Sequence, residues 1–135
     1  MRSGYSDDCE GTELNLWRGA VRSAIRGARG QKFLRELVAA LDALPEKILI
    51  QHEFAAGGAV CALGAVARAR RMNVSELSTD PQDRDEVAGV FGIAPALAAE
   101  IMFENDGDYD YEQIAPEERF RRVRVWAENQ IREGA

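Results

Sequence analysis

Apolar residues recur along most of this chain at helical spacing. Over residues 13–27, Leu14, Trp17, Val21, Ala24 and Ile25, with Ala28 just beyond, fall on one face, so the spacing predicts an amphipathic helix. Arg29-Gly30-Gln31 interrupts it, because glycine favours helix ends; Phe33, Leu34, Leu37, Val38, Leu41 and Leu44 then line a second helix, which Pro45 closes. The two read as a helical hairpin. The apolar, β-branched run over 47–54, the turn Ala55-Ala56-Gly57-Gly58 and the apolar run over 59–63 predict one short β-hairpin at about residues 48–62. The alternative is a single helix over about 44–54.

A helix over 63–71 should follow, its small residues Gly64, Ala65, Ala67 and Ala69 permitting close packing. Beyond Met72 come turn signals ending at Pro81, then a helix over about 82–91 ended by Gly92. Pro95 opens another helix through Leu97, Ile101, Met102 and Phe103, Asp106-Gly107-Asp108 marks a turn, and Pro116 opens a last helix with Phe120, Val123, Ala127 and Ile131 on one stripe. The expected fold is mainly α: a compact multi-helix single domain over 1–135 with at most that one hairpin, residues 1–12 forming a flexible or irregular N-terminal segment. Trp17, Val21, Ile25, Phe33, Leu37, Leu41, Leu63, Val66, Phe91, Leu97, Ile101, Phe120 and Val123 are the expected core.

Composition supports a folded body, since 46% of residues are hydrophobic and 30% charged in a chain of 135, long enough for one core without disulfide or metal. Two cysteines, Cys9 and Cys61, are too few for a disulfide framework, and Cys61 lies in an apolar run; a reducing, cytoplasmic setting is expected. The acidic N-terminus lacks the pattern of a signal peptide, and no apolar run approaches the roughly 18 residues of a membrane span.

The net charge of −6 hides a strong asymmetry: residues 72–112 carry one basic against 11 acidic residues, whereas residues 1–71 carry 11 basic against 8 acidic. Such polarity bears on partners. Arg18, Arg22, Arg26 and Arg29, at spacings of four, four and three, form a stripe beside the apolar face of the first helix. The stripe reads either as the intramolecular counterpart of the acidic segment, as a protein-binding surface, or as a phosphate-binding surface for nucleic acid, the last disfavoured by the acidic total and the missing recognition motif.

Catalytic and metal chemistry lack parts. His52 is the single histidine, no nucleophile elbow stands near either cysteine, and Cys9, His52 and Cys61 do not have zinc-ligand spacing, so neither an enzyme nor a cofactor is expected. Asp106, Asp108, Asp110 and Glu117 reproduce part of a calcium loop, but Tyr111 occupies the position that wants glycine and Pro116 crowds the terminal acid. The competing reading is a solvated turn in which Asn105 and Asp106 cap backbone groups.

The segments WRGAVRSAIRGARGQKFLREL (17–37), LPEKILI (44–50), VCALGAVARAR (60–70), FGIAPALAAEI (91–101), END (104–106) and PEERFRRVRVW (116–126), with Ser6-Asp7-Asp8 near the start, together resemble a widespread group of uncharacterised small phage and prophage proteins. CALGAV at 61–66 and the later Asn105-Asp106 are similar to bacterial domains of unknown function that carry a CALGAL helix and an ND turn. The resemblance implies a viral or proviral origin and an accessory role in the bacterial cytoplasm, such as inhibition of a host defence system, for example a CRISPR effector. Because the chain lacks an assembled catalytic set and concentrates 11 of its 23 acids in residues 72–112, the expected activity is stoichiometric binding of a host or phage protein, with Asp106, Asp108, Asp110 and Glu112 as an acidic contact surface. The alternative is a nucleic-acid-associated or regulatory protein using the arginine stripe.

Overall fold

A computed structural model describes residues 11–73, 83–107 and 114–131, with the backbone alone for 11–14. Among them are six helices and one two-stranded antiparallel sheet, so the fold is mainly α. Helix α1 covers Gly11–Arg26, α2 Ala28–Asp42, α3 Ala62–Ala69, α4 Arg84–Phe91, α5 Pro95–Asp106 and α6 Pro116–Gln130. The strands β1 (Ala55–Ala56) and β2 (Ala59–Val60) flank the turn Gly57-Gly58, where both residues have positive φ, as the favoured two-residue hairpin turn requires.

Two helices organise the body. α2 and α5 each pack against α1, α3 and α6, and α4 lies against α5. α5 is buried on nearly every side, through Leu97, Ala98, Ala99, Glu100, Ile101, Met102, Asn105 and Asp106, which is how a helix at the centre of a small core must look. α4 and α5 together carry a long apolar stretch, but they are bent by 106° to one another, and no single helix among the described residues is long and apolar enough to cross a membrane.

Every expected core residue but one is buried. Trp17 is only partly covered and packs at the margin of the core, with the Arg84 guanidinium 4.6 Å from its ring centroid. The break between the first two helices comes at Gly27, three residues earlier than the interruption at Gly30 suggests. Gly30 lies inside α2 for another reason: a Cβ there would stand 1.8 Å from the Ala24 carbonyl oxygen, so only glycine lets α2 approach the end of α1 this closely.

Proline and glycine otherwise punctuate the chain as expected. Pro95 and Pro116 occupy the first helical positions of α5 and α6, where their missing N–H costs nothing, and Gly92 ends α4 in the left-handed region. α4 begins at Arg84, with the Asp83 carboxylate accepting from the Asp85 and Glu86 amides at 3.1 and 3.2 Å. The first arm of the hairpin is shorter than the apolar run over 47–54: residues 48–54 are irregular and are tied to the second arm by bonds from Ile50 N to Val60 O (3.0 Å) and Cys61 N to Phe54 O (3.1 Å).

Two arginines fasten the helices from outside. Arg70, just past α3, grips Glu36 of α2 through two bonds of 2.7 Å and covers the rings of Phe33 and Phe91, which holds the Glu36 carboxyl below the usual carboxylate range. Arg124 of α6 reaches both oxygens of Asp42 at the end of α2, at 2.7 and 3.0 Å, and also Glu128 one turn on.

Candidate functional site

Two arrangements of polar side chains stand out, one buried and one open. The buried one ties the loop before the hairpin to α3, α5 and α6. Asn105, in the last turn of α5, accepts from the Ala62 amide at 2.9 Å and donates to the Ile50 carbonyl at 2.8 Å and to the Asp106 carboxylate at 3.0 Å. Ala62 is the first residue of α3, so Asn105 satisfies an amide that the helix leaves without an intrahelical partner.

Asp106 turns inward beside it. Its carboxylate accepts the His52 amide at 3.1 Å and lies 3.5 Å from His52 Nδ1, holding a residue whose φ of 66° is uncommon outside glycine. Arg119 of α6, 3% exposed, donates to the carbonyls of Asn105 and Asp106 and to Gln51 Oε1, closing the end of α5 where orphan carbonyls and the helix dipole favour a cation. Burial pushes this guanidinium down and the Asp106 charge opposes that shift.

Cys61 caps α3, its Sγ accepting from the Gly64 amide at 3.3 Å. A helix N-terminus ordinarily favours thiolate, but burial outweighs it here and pushes the thiol up to about 12, so Cys61 is protonated at neutral pH. The space beside Cys61, His52, Asn105 and Asp106 is about 20 Å³, room for a single water. Gly64 completes the packing, since a Cβ there would meet the Phe54 carbonyl oxygen at 2.0 Å. In chemical terms the cluster is a clamp on backbone groups.

The inward turn of Asp106 corrects one sequence expectation and bears on the calcium-loop candidate. Asp106, 4% exposed, is no part of a contact surface, and Asp108, Asp110 and Glu112 lie outside the described residues. The calcium loop loses its first ligand to the same inward turn: Asp106 is engaged with His52 and Asn105, while Glu117 sits on the exposed first turn of α6. Among the described residues, no group of three or more His, Cys, Asp or Glu side chains is placed to hold a metal. A signal for the burial was present in the chain, because Asn105 and Asp106 continue the inner stripe Ala98, Ile101, Met102 one turn further.

The open arrangement is a groove of about 510 Å³ lined by Arg18, Val21, Arg22, Ile25 and Arg26 from α1, Glu100 from α5, and Trp126, Asn129 and Gln130 from α6. Three of the four stripe arginines meet there because their four-residue spacing keeps them on one side of α1; Arg29, across the Gly27 break, belongs to α2 and does not line it. Arg18, Arg22 and Arg26 are exposed, and among the described residues no carboxylate of the acidic segment forms an ion pair with them. Val21 and Ile25 give the groove an apolar base, and Glu100, only 8% exposed, places one carboxylate in its floor.

No family model, curated protein or solved structure matches this chain. Its function is therefore read from its own residues.

Proposed function

We propose that the protein is a binding module that engages an anionic partner stoichiometrically through the α1 groove. One observation carries this reading: in a chain of net charge −6, three arginines line one concavity without an ion-pair partner among the described residues. Exposed charges contribute little to stability, so folding does not explain why Arg18, Arg22 and Arg26 converge. Guanidinium groups suit this task, because their planar forks bind carboxylate or phosphate through two bonds at once. Burial of the Cys61 thiol in its protonated state supports binding over turnover at the only cysteine and histidine that lie near one another among the described residues. Stoichiometric capture also suits the accessory role that the resemblance to phage and prophage proteins implies, the blocking of a host component such as a defence effector.

Heparin chromatography tests the reading. The wild-type protein is expected to bind at low salt despite its acidity and to elute as salt rises, because screening weakens exposed charge contacts. The triple reversal R18E/R22E/R26E, with helical circular dichroism unchanged, should flow through. Flow-through of the wild type, or equal retention of the folded triple variant, would refute it.

A further inference from the structure

The groove has two unlike walls. On α1 stand Arg18, Arg22 and Arg26, separated along the helix by about 6 Å per four residues. On α6 stand Trp126, Asn129 and Gln130, an indole and two carboxamides, and between the walls Glu100 of α5 sits in the floor. We infer that this groove takes a small phosphorylated ligand bearing a planar, hydrogen-bonding ring, the chemistry of a nucleotide, with phosphates on the α1 wall and the ring on the α6 wall. The inference rests on the proposed anion-binding role of the groove and names the ligand class.

Each wall argues for one half of such a ligand. Three guanidinium groups in a row match consecutive phosphates, whose oxygens accept bidentate bonds. An indole offers a face for a ring to stack on, and neighbouring carboxamides supply both donors and acceptors for ring edges or ribose hydroxyls. The Glu100 carboxylate in the floor is unfavourable to a nearby phosphate, which places the phosphates on the arginine wall. The volume of about 510 Å³ lies within the roughly 300–1,000 Å³ of small-molecule sites.

Other anions use less of the groove. An acidic helix from a protein would meet the arginines and leave the indole and carboxamides unused, with Glu100 opposing its carboxylates. A nucleic-acid strand would carry its charge past Glu100 and onto a chain that is acidic overall, which long-range repulsion disfavours.

Isothermal titration of the full chain without divalent cations, so that phosphates stay bare, is the direct test. The probes are ATP, inorganic tripolyphosphate, adenosine and a deoxyadenosine ten-mer. ATP should bind one-to-one and at least about tenfold more tightly than tripolyphosphate or adenosine, the gain that ring stacking brings. Arg22→Glu should weaken ATP at least about tenfold, by loss of a charge-assisted contact and gain of a repulsive one. Asn129→Ala, at an exposed position that cannot unsettle the core, should weaken ATP severalfold and leave tripolyphosphate unchanged.

Equal affinity for ATP and tripolyphosphate would overturn the inference in favour of a phosphate-only site. Tighter one-to-one binding of the ten-mer than of ATP would overturn it in favour of strand binding. If ATP fails while heparin is still retained through the three arginines, the nucleotide inference falls and the anion-binding reading stands. If both fail, that reading falls as well.

Discussion

Replacing Asn105 with alanine would strip two backbone groups of their partners at once. The Ala62 amide is fully buried at the start of α3 and donates to Asn105 Oδ1 alone; the Ile50 carbonyl accepts from Nδ2 and is half-covered. A buried polar group left unsatisfied costs about 1–3 kcal/mol. Weighting the amide fully and the carbonyl partly gives a loss of roughly 2–4 kcal/mol, a large share of the about 5–15 kcal/mol that holds a domain together. Urea unfolding followed by circular dichroism should show the midpoint fall with the slope preserved, because the surface exposed on unfolding is nearly the same. Hydrogen exchange supplies a local readout: the Ala62 amide should exchange much faster in the variant, while amides in the middle of α2 keep the protection set by global unfolding. Asn129→Ala, exposed on α6, serves as the control and should change stability by less than about 0.5 kcal/mol. A loss of that size at Asn105 as well, or unchanged exchange at Ala62, would refute the assignment of Asn105 as the clamp between α5, α3 and the loop before the hairpin.

Gly30→Ala should destabilise by about 1–3 kcal/mol or more, since its Cβ collides with the Ala24 carbonyl, whereas Gly89→Ala, in open space within α4, should stabilise by about 0.4–1 kcal/mol; thermal melts of both variants check the pair. In a Cys9→Ser background, the Cys61 thiol should react with iodoacetamide at pH 8 no faster than the chain opens, and urea should speed the reaction; fast labelling of the folded protein would contradict burial. Because the folded thiol titrates at about 12, above its ordinary value of 9.0, its contribution to stability is whole below about pH 9 and is lost as pH climbs toward 12, so alkaline melts should fall less steeply for Cys61→Ala. Glu36 runs the other way: Arg70 lowers its folded pKa, so the pair stabilises above the ordinary carboxylate range and fades as pH drops through the folded value, and Glu36→Gln should flatten the acid limb of stability against pH.

The helices were legible in the sequence because what makes them is local. Residues three and four apart share a face, proline fits the first turn, and glycine ends the last, so the stripes ending at Phe91 and opening at Pro95 and Pro116 could be read without knowing any neighbour. The arginine stripe was legible for the same reason, since Arg18, Arg22 and Arg26 are brought together by α1 alone. What those arginines face was decided elsewhere, by Glu100, Trp126 and Asn129 arriving on α5 and α6, 74 or more residues further along the chain. The same holds for the polar clamp. Asp106 reads in sequence as one acid of an exposed acidic turn, yet its partner His52 lies 54 residues away, and Arg119 reaches the end of α5 from another helix. Burial of a polar side chain depends on whether distant backbone groups lack partners, and Gly30 and Gly64 are fixed by carbonyls that only packing brings within reach of a Cβ. Periodicity records which face of a helix turns inward; the partners waiting there are set by the tertiary structure.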